Sequence, residues 1–312
     1  MAVIGAGCAS VSGVAPDSGS TATVAQRNSS SPASPSGGSS SPSTGHSSAP
    51  RSTPTPKSTR KLHLQSPFDG VASYVAGTHY YITAAVYDRK TGQTFVLDPK
   101  PGAVERTASI VKVEIMGDLF REHEADKQPL SDSDISLLTT MIENSDNDSA
   151  TSLWNEDGGA PSIQTFDDSI GMTGTTASAD PWIPGSTDLP GWGWTSTTAR
   201  DQVRLVRDFA YKNKWISDSY REQGLHLMES IESDQDWGVS SGVPSGVTVA
   251  LKNGWLPIDL TNDTDWQINS IGWVKGDGRD YVLAILCQGS LSEGDGIAAV
   301  DHIAAQVYSA LG

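Results

Sequence analysis

The chain has 312 residues and a formal net charge of −16, with 37 acidic and 21 basic residues. This excess of negative charge argues against binding to nucleic acid or to an anionic membrane, because both require a basic surface. Only one acid, Asp17, lies in residues 1–61, so the roughly 250 residues that follow are strongly acidic, and they are enough for one sizeable core or for two lobes sharing one.

The first 61 residues are predicted to hold the remnant of a secretion signal and a disordered tether. Residues 28–59 consist almost entirely of Ser, Pro, Gly and Thr, a composition that cannot offset the entropy lost when a chain becomes ordered. Upstream, IGAGCAS resembles the end of a bacterial lipoprotein signal, in which Cys8 would be lipidated. Only seven residues precede Cys8 and none is basic, so either the true start lies upstream or the match is accidental. We expect an extracellular protein, a bacterial cell-surface lipoprotein attached to the membrane only through Cys8.

Folded structure is expected over residues 62–312, and hydrophobic periodicity predicts its elements in chain order. A helix over 64–77 is followed by a β-hairpin around DRKTG and by a helix that carries Ser109 and Lys112. SDSDISLLTTMIE then predicts a helix that begins with N-capping residues. A loop rich in Pro, Gly and Trp is expected over 172–194. Further helices are expected at 148–156, 160–170, 197–213 and 218–231.

Three strands and a helix complete the domain. GVTVALKNG alternates as a strand, WQINSIGWV and YVLAILCQG form a hairpin around KGDGRD, and a helix covers about 295–311. Strands at both ends with helices between them predict an α+β fold. In this fold an antiparallel five-stranded sheet is flanked by terminal helices, and an all-helical lobe is inserted at about 110–235. The two cysteines and six histidines show no metal-ligand spacing, so neither a metal nor another cofactor is expected.

This architecture would bring three short motifs together. They are Ser109-x-x-Lys112, Ser145-Asp146-Asn147 after a helix, and Lys252-Asn253-Gly254 at the end of a strand. On a helix, Ser109 and Lys112 share a face. A serine hydroxyl is a weak nucleophile until a base removes its proton, and a lysine surrounded by apolar residues loses water, which lowers its pKa. The first motif therefore predicts a nucleophile and its base.

The order of the motifs resembles that of the serine β-lactamase and penicillin-binding protein superfamily, whose motifs are S-x-x-K, S-D-N and K-T-G. The resemblance covers residues 62–312, and MIENSDNDSATSLW is especially similar to the class A β-lactamase pattern. It implies that Ser109 is the nucleophile, Lys112 the base and Ser145 a proton relay. The implied substrate contacts are Asn147, Lys252, Asn253, Gly254 and the backbone N–H of Trp255. Residues 90–92 also spell K-T-G, but they precede Ser109 and are interpreted as a hairpin turn.

Two features depart from the class A pattern. A loop glutamate in class A enzymes activates the water that hydrolyses the acyl-enzyme, whereas residues 174–195 contain no glutamate and only the acids Asp180 and Asp188. Asn253 replaces the threonine of K-T-G, which substitutes an amide for a hydroxyl. The sequence therefore predicts acylation without efficient deacylation.

The leading hypothesis is a monomeric serine hydrolase, secreted or tethered to the cell surface. It would act through an acyl-enzyme on a small-molecule β-lactam or a related amide or ester. Two alternatives remain open: a D-alanyl-D-alanine peptidase of the penicillin-binding type, acting on a peptidoglycan-type substrate, and a non-catalytic cell-envelope binding protein with the same fold.

Overall fold

The computed structural model describes residues 66–261 and 264–312. The expected lipidation of Cys8 and the tether within residues 1–61 lie outside these residues. In the described part of the chain, no helix is long and apolar enough to cross a membrane.

A five-stranded antiparallel sheet forms the centre of the domain, as predicted. Its strands are β1 (Tyr81–Asp88), β2 (Gln93–Leu97), β5 (Thr248–Asp259), β6 (Thr264–Gly276) and β7 (Arg279–Ser290). They lie side by side in the order β2-β1-β7-β6-β5. The hairpin expected around DRKTG is present, with Asp88 paired to Gln93. The edge position of β5 leaves one side of its backbone without a neighbouring strand in this sheet.

The central strands β1, β6 and β7 are buried on both faces, because side chains alternate between the faces and each face packs against its own hydrophobic core. On β1, Ala84 and Val86 pack with the terminal helices α1 (Ala72–Gly77) and α8 (Glu293–Ala310), whereas Ala85 belongs to the core of the helical insertion. Strands buried on both faces read as continuous hydrophobic runs, which accounts for the composition of YVLAILCQG.

Six helices lie between the two groups of strands along the chain. They are α2 (Lys112–Asp126), α3 (Asp132–Glu143), α4 (Asn147–Glu156), α5 (Ala160–Ile170), α6 (Ala199–Ala210) and α7 (Asp218–Glu229). The start of α3 is fixed by a capping box between Ser131 and Asp134, and α4 begins after Asp146, whose side chain accepts the Ser149 N–H. Such caps satisfy N–H groups that the first helical turn leaves unpaired.

Three local features differ from the sequence-based expectation. The first helix is shorter than the expected 64–77, since within the described part of this range, residues 66–77, only Ala72–Gly77 is helical and a turn precedes it. The strand carrying Lys252-Asn253-Gly254 does not end there, because its pairing with β6 continues to Asp259 opposite Thr264. A small two-stranded sheet of β3 (Glu105–Arg106) and β4 (Ser196–Thr197) was not predicted; two residues a strand give no periodic signal.

Candidate active site

Ser109 lies in a tight turn directly before α2. It belongs to a 3₁₀ turn over Ala108–Val111, and Lys112 is the first residue of the α-helix. Ala108 has a φ of 46°, a left-handed conformation that costs a non-glycine residue about 1–3 kcal/mol and persists where surrounding contacts impose it. In this geometry Ser109 Oγ lies 3.1 Å from Lys112 Nζ.

Lys112 is fully buried, and its amine is surrounded by oxygen atoms. Besides Ser109 Oγ, Nζ lies 2.6 Å from the carbonyl oxygen of Ser145, 2.8 Å from Asn147 Oδ1 and 3.2 Å from Ser145 Oγ. Burial lowers the pKa of Lys112 well below its ordinary value, and the positive charge of Lys252 lowers it further, against an opposing effect of Asp146. The amine is therefore biased toward the neutral form, which has a lone pair to accept a proton.

A second buried lysine lies on the other side of Ser145. Lys252 Nζ donates to Ser145 Oγ at 2.9 Å and to its neighbouring carbonyl, that of Asn253, at 3.2 Å. Burial lowers the pKa of Lys252 to about 7. Ser145 itself has a φ of 58°, so a second strained residue lies at this point. The Ser145 hydroxyl thus forms a bridge between the two amines.

At Gly254, β5 passes very close to the turn that carries Ser109. A Cβ atom at this position would lie 2.7 Å from the Ser109 backbone nitrogen and 2.9 Å from the Thr107 carbonyl oxygen. Backbone atoms cannot withdraw as a flexible side chain can, so only glycine fits. The approach brings the edge of β5, with Trp255 as its next residue, alongside the turn that carries Ser109.

Two polar side chains of β6 hold the backbone that leads into this turn, and sequence reasoning did not select them. Asn269 Nδ2 donates to the carbonyl oxygens of Arg106 and Thr107, both at 2.8 Å. Gln267 accepts the Arg106 N–H at 3.2 Å and donates to Asn269 Oδ1 at 2.7 Å. Both side chains are fully buried. The one available signal was the pair of amides in the apolar strand WQINSIGWV, because buried amides need hydrogen-bond partners.

The Asn253 amide faces away from Ser109 and has other partners than a ligand. Its Nδ2 donates to the carbonyl oxygens of Gln235 at 2.7 Å and Trp237 at 3.0 Å, and the residue is 1% exposed. The substitution of threonine by asparagine therefore gives a link between β5 and the segment that precedes it. Both N–H groups of the amide already donate within the protein, so they are not available to a substrate carboxylate, although the sequence predicted Asn253 as a substrate contact.

The loop after α5 supplies an apolar wall beside Ser109 and Lys112. The Trp192 ring lies 5.0 Å from Lys112 Nζ, and its indole N–H donates to Thr151 Oγ1 at 3.1 Å. A cleft opens beside Ser109 and Asn147, and its other lining residues come from the turn that carries Ser109, from the loop and from β5. They are Ala108, Ile183, Leu189, Pro190, Trp192, Gly193, Trp255 and Leu256.

Neither acid of this loop lines the cleft. Asp188 accepts a hydrogen bond from Ser186 Oγ at 2.7 Å, and both Asp180 and Asp188 are exposed. Among the described residues that line the cleft there is no carboxylate. Of the residues selected from the sequence, the structure brings together Ser109, Lys112, Ser145, Asn147 and Lys252.

A family model described as "Beta-lactamase enzyme family" matches residues 133–311. The chain belongs to this beta-lactamase family. The solved structures that resemble it include a class A beta-lactamase from Bacteroides cellulosilyticus, with a TM-score of 0.67, 18% identity, and coverage of 78% of this chain and 96% of that one. PBP-A gives a TM-score of 0.65 with 17% identity, and covers 79% of this chain and 96% of its own. These likenesses show the fold, and the match to the family model confirms the predicted superfamily.

The names of curated relatives of this beta-lactamase family member bear on the predicted lipid anchor. Proteins of Mycobacterium bovis and Mycobacterium tuberculosis named "Putative lipoprotein LppW" are 25% identical over 215 residues, which cover 65% of this chain and 62% of theirs. The chain thus aligns with less than two thirds of the length of these relatives.

Proposed function

We propose that the chain is a serine hydrolase that acts through an acyl-enzyme on a β-lactam or a related amide or ester. The observation that carries the proposal is the hydrogen-bond arrangement around Lys112. A neutral amine has two N–H groups and one lone pair. Two neighbours of Nζ, the Ser145 carbonyl and Asn147 Oδ1, can only accept from it. The lone pair is then left for a hydroxyl, and the two within reach are Ser109 Oγ at 3.1 Å and Ser145 Oγ at 3.2 Å. A hydrogen bond donated by Ser109 to this lone pair has the direction of proton transfer that activates a nucleophile.

Acylation would proceed with Ser109 as nucleophile and Lys112 as base. The Ser109 proton moves to Lys112 Nζ while Oγ bonds to the substrate carbonyl carbon. Collapse of the tetrahedral intermediate breaks the carbon–nitrogen or carbon–oxygen bond, and Ser145 passes a proton to the leaving atom. Lys112 supplies that proton and returns to the neutral form, so the proton balance closes.

The remaining groups would bind the substrate and the developing negative charge. The backbone N–H groups of Ser109 and Trp255 are the proposed oxyanion donors, since Gly254 allows the two segments to approach closely. Asn147 would contact the substrate amide, and Lys252, with a pKa of about 7, would attract a substrate carboxylate, whose charge would in turn favour its protonated form.

Slow release of the acyl group is part of the proposal. Hydrolysis of an acyl-enzyme requires a base that activates water, and the described lining of the cleft offers apolar side chains in the place where a carboxylate would be needed. The ring of Trp192 over Lys112 also restricts water. We therefore expect acylation that is much faster than deacylation.

The test is the intact mass of the full chain against time after mixing with a penicillin, with Ser109→Ala and the exposed Ser133→Ala as matched variants. The expected result is a lasting adduct of the drug's mass on the parent chain and on Ser133→Ala, and none on Ser109→Ala. An adduct retained by Ser109→Ala would refute the nucleophile assignment. An adduct that disappears while free drug is consumed would show efficient deacylation and refute the slow step.

A second candidate function is ligand binding at the cell envelope without turnover, and the use of the Asn253 amide within the protein favours it. It predicts no adduct with a penicillin, with a reactive ester or with a peptide ending in D-alanyl-D-alanine. Hydrolysis of that peptide would instead favour the peptidase alternative. The two outcomes separate the hypotheses that the fold leaves open.

Surface attachment through Cys8 is also proposed, and the name of the mycobacterial relatives supports it. Cys8→Ser, expressed with the native upstream region, should release the protein from the membrane fraction into the medium. Retention of the variant in the membrane would contradict lipidation at this position.

A further inference from the structure

Three carboxyl groups meet inside the helical insertion, far from any role in the proposed reaction. Asp118 and Glu122 lie one turn apart on α2, and Asp157 follows directly after α4. One carboxylate oxygen of each lies within 4.8 Å of the others. We propose that these three side chains bind a hard divalent cation of the size of Ca²⁺.

The strongest observation is that the Asp157 carboxylate has no hydrogen-bond donor. The residue is 4% exposed, and neither of its side-chain oxygens has a partner in the described part of the chain. Asp118 is completely buried, and its Oδ2 is likewise without a partner. Buried polar groups are paired in nearly all native proteins, so these oxygens, turned toward one another, require either protons or a cation between them.

The local charge favours a cation. Among the residues that the structure describes, the one positive side chain with an ion pair to the cluster is Arg121, which binds Asp118 Oδ1 through Nε at 2.9 Å and also through Nη2. Glu122 accepts one hydrogen bond, from Ser162 Oγ at 3.2 Å. Three carboxylates and one guanidinium carry a net charge of −2, which one divalent cation would neutralise.

The dimensions and the access are suitable for a calcium ion. Ca²⁺ binds oxygen at about 2.3–2.6 Å, so two of its ligands can be up to about 5 Å apart, and the oxygens of the cluster fall within this limit. Water would fill the remaining positions. Glu122 also lines a surface depression with Arg121, Ala125 and Asp126, which gives the ion a path from solvent.

Neighbouring carboxyls and burial also affect the metal-free state. Burial, together with the adjacent Glu122 and Asp118, raises the pKa of Asp157 to about 9. A cation bound between the three carboxyls would stabilise the folded chain, because the unfolded chain lacks the assembled site.

Terbium luminescence provides a direct test, since Trp154 lies three residues before Asp157 and can sensitise a bound Tb³⁺. The full chain is first stripped with EDTA and then titrated with TbCl₃ under excitation of tryptophan, with CaCl₂ as competitor. We expect saturable emission at one Tb³⁺ per chain, displacement by Ca²⁺, and a higher Tm in Ca²⁺ than in EDTA. Glu122→Gln should weaken Tb³⁺ binding at least tenfold, and Asp157→Asn should remove the Ca²⁺-dependent shift in Tm.

The matched control is Glu156→Gln, which removes an exposed carboxylate one residue from Asp157 and should bind Tb³⁺ as the parent chain does. If Asp157→Asn does not fold, Glu122→Gln alone tests the site. Absence of saturable emission together with an equal Tm in EDTA and Ca²⁺ would overturn the proposal and leave protons as the occupants. Equal loss of binding in Glu156→Gln would also overturn it.

Discussion

Lys112 and Lys252 share one hydroxyl group: Ser145 Oγ lies 3.2 Å from the amine of Lys112 and 2.9 Å from that of Lys252. Both lysines are fully buried, so each disfavours a positive charge on the other. Burial is the largest cause of the low pKa of Lys112, and the charge of Lys252 is the second. A base and an anion-binding cation can therefore coexist in one site only if their protonation is coupled.

Replacement of Lys252 by methionine should raise the pKa of Lys112, because it removes a positive charge that disfavours protonation. The acidic limb of the pH profile for acylation of Ser109, which marks protonation of Lys112, should then move to higher pH. The measurement is the rate of labelling by a reactive ester without a carboxylate, so that loss of substrate binding by Lys252 does not interfere. Lys275→Met, at an exposed lysine on β6, is the control. An unchanged limb would show that the two amines titrate independently.

Replacement of Trp192 by alanine should also raise the pKa of Lys112 and slow acylation at neutral pH. Two effects of the ring oppose each other. Its removal admits water, which favours the ammonium form by up to several pKa units. The substitution also removes a cation–π contact worth about 0.5–2 kcal/mol, and this loss disfavours the ammonium form. Since one pKa unit corresponds to about 1.4 kcal/mol, the lost contact lowers the pKa by less than the admission of water raises it.

The comparison for Trp192→Ala is Trp182→Ala, in the same loop but 45% exposed, in pH profiles of acylation. The limb should move to higher pH in the first variant and remain in place in the second. A shift to lower pH in Trp192→Ala would mean that the cation–π contact dominates.

Gly254→Ala should reduce acylation at least a hundredfold and destabilise the fold by about 1–3 kcal/mol. The added Cβ would lie 2.7 Å from the Ser109 backbone nitrogen, so either β5 or the nucleophile turn must move, and displacement of a reacting group by about 1 Å costs about that factor in rate. Gly294→Ala is the control, because its Cβ would meet no atom within 4 Å. Chemical denaturation and labelling kinetics measure the two effects; unchanged labelling would show that the turn adapts.

Asp167→Asn should stabilise the protein at alkaline pH. Asp167 is fully buried with neither oxygen paired within the described residues, and burial together with Glu114 and Asp118 raises its pKa to about 10. The folded chain therefore keeps a proton that the unfolded chain loses near pH 4, so stability is greatest below that pH and falls as the pH rises toward 10.

In EDTA, Asp167→Asn should gain several kcal/mol, up to about 5 kcal/mol, in stability at pH 9 relative to pH 5, compared with the parent chain, because the folded parent keeps one more proton than the unfolded parent over these four pH units, about 1.4 kcal/mol for each. Urea denaturation at several pH values measures the difference. Asp168→Asn, at the exposed neighbouring acid, should keep the parent slope. A variant with the parent's pH dependence would show that Asp167 does not hold the proton.

Much of the fold was predictable because its signals are local. Caps such as Ser131 and the alternation in GVTVALKNG depend on residues close together in sequence, and the helices and strands they predict are present with shifts of a few residues. The order of the strands along the chain, two before the helices and three after, was enough to predict the α+β arrangement and the five-stranded sheet. The motif order likewise predicted the family.

The site depended on contacts that no local pattern contains. Asn269 supports residues 106–107 across more than 160 positions of sequence, and Trp192 reaches Lys112 from a loop that shows no periodicity. The Asn253 amide was expected to face a ligand. Because successive side chains of a strand point to opposite faces of the sheet, Asn253 points away from the face that carries Lys252, and its amide donates to the carbonyl oxygens of residues 235 and 237.

By itself, the sequence determined the fold class, the strong negative charge and the serine and lysine that we propose as nucleophile and base, because composition, spacing and periodicity are properties of the chain. Tertiary structure decided the lowered pKa values of Lys112 and Lys252, the apolar wall of the cleft and the meeting of Asp118 with Asp157. These properties depend on burial and on distances between atoms far apart in sequence, which arise only when the chain folds.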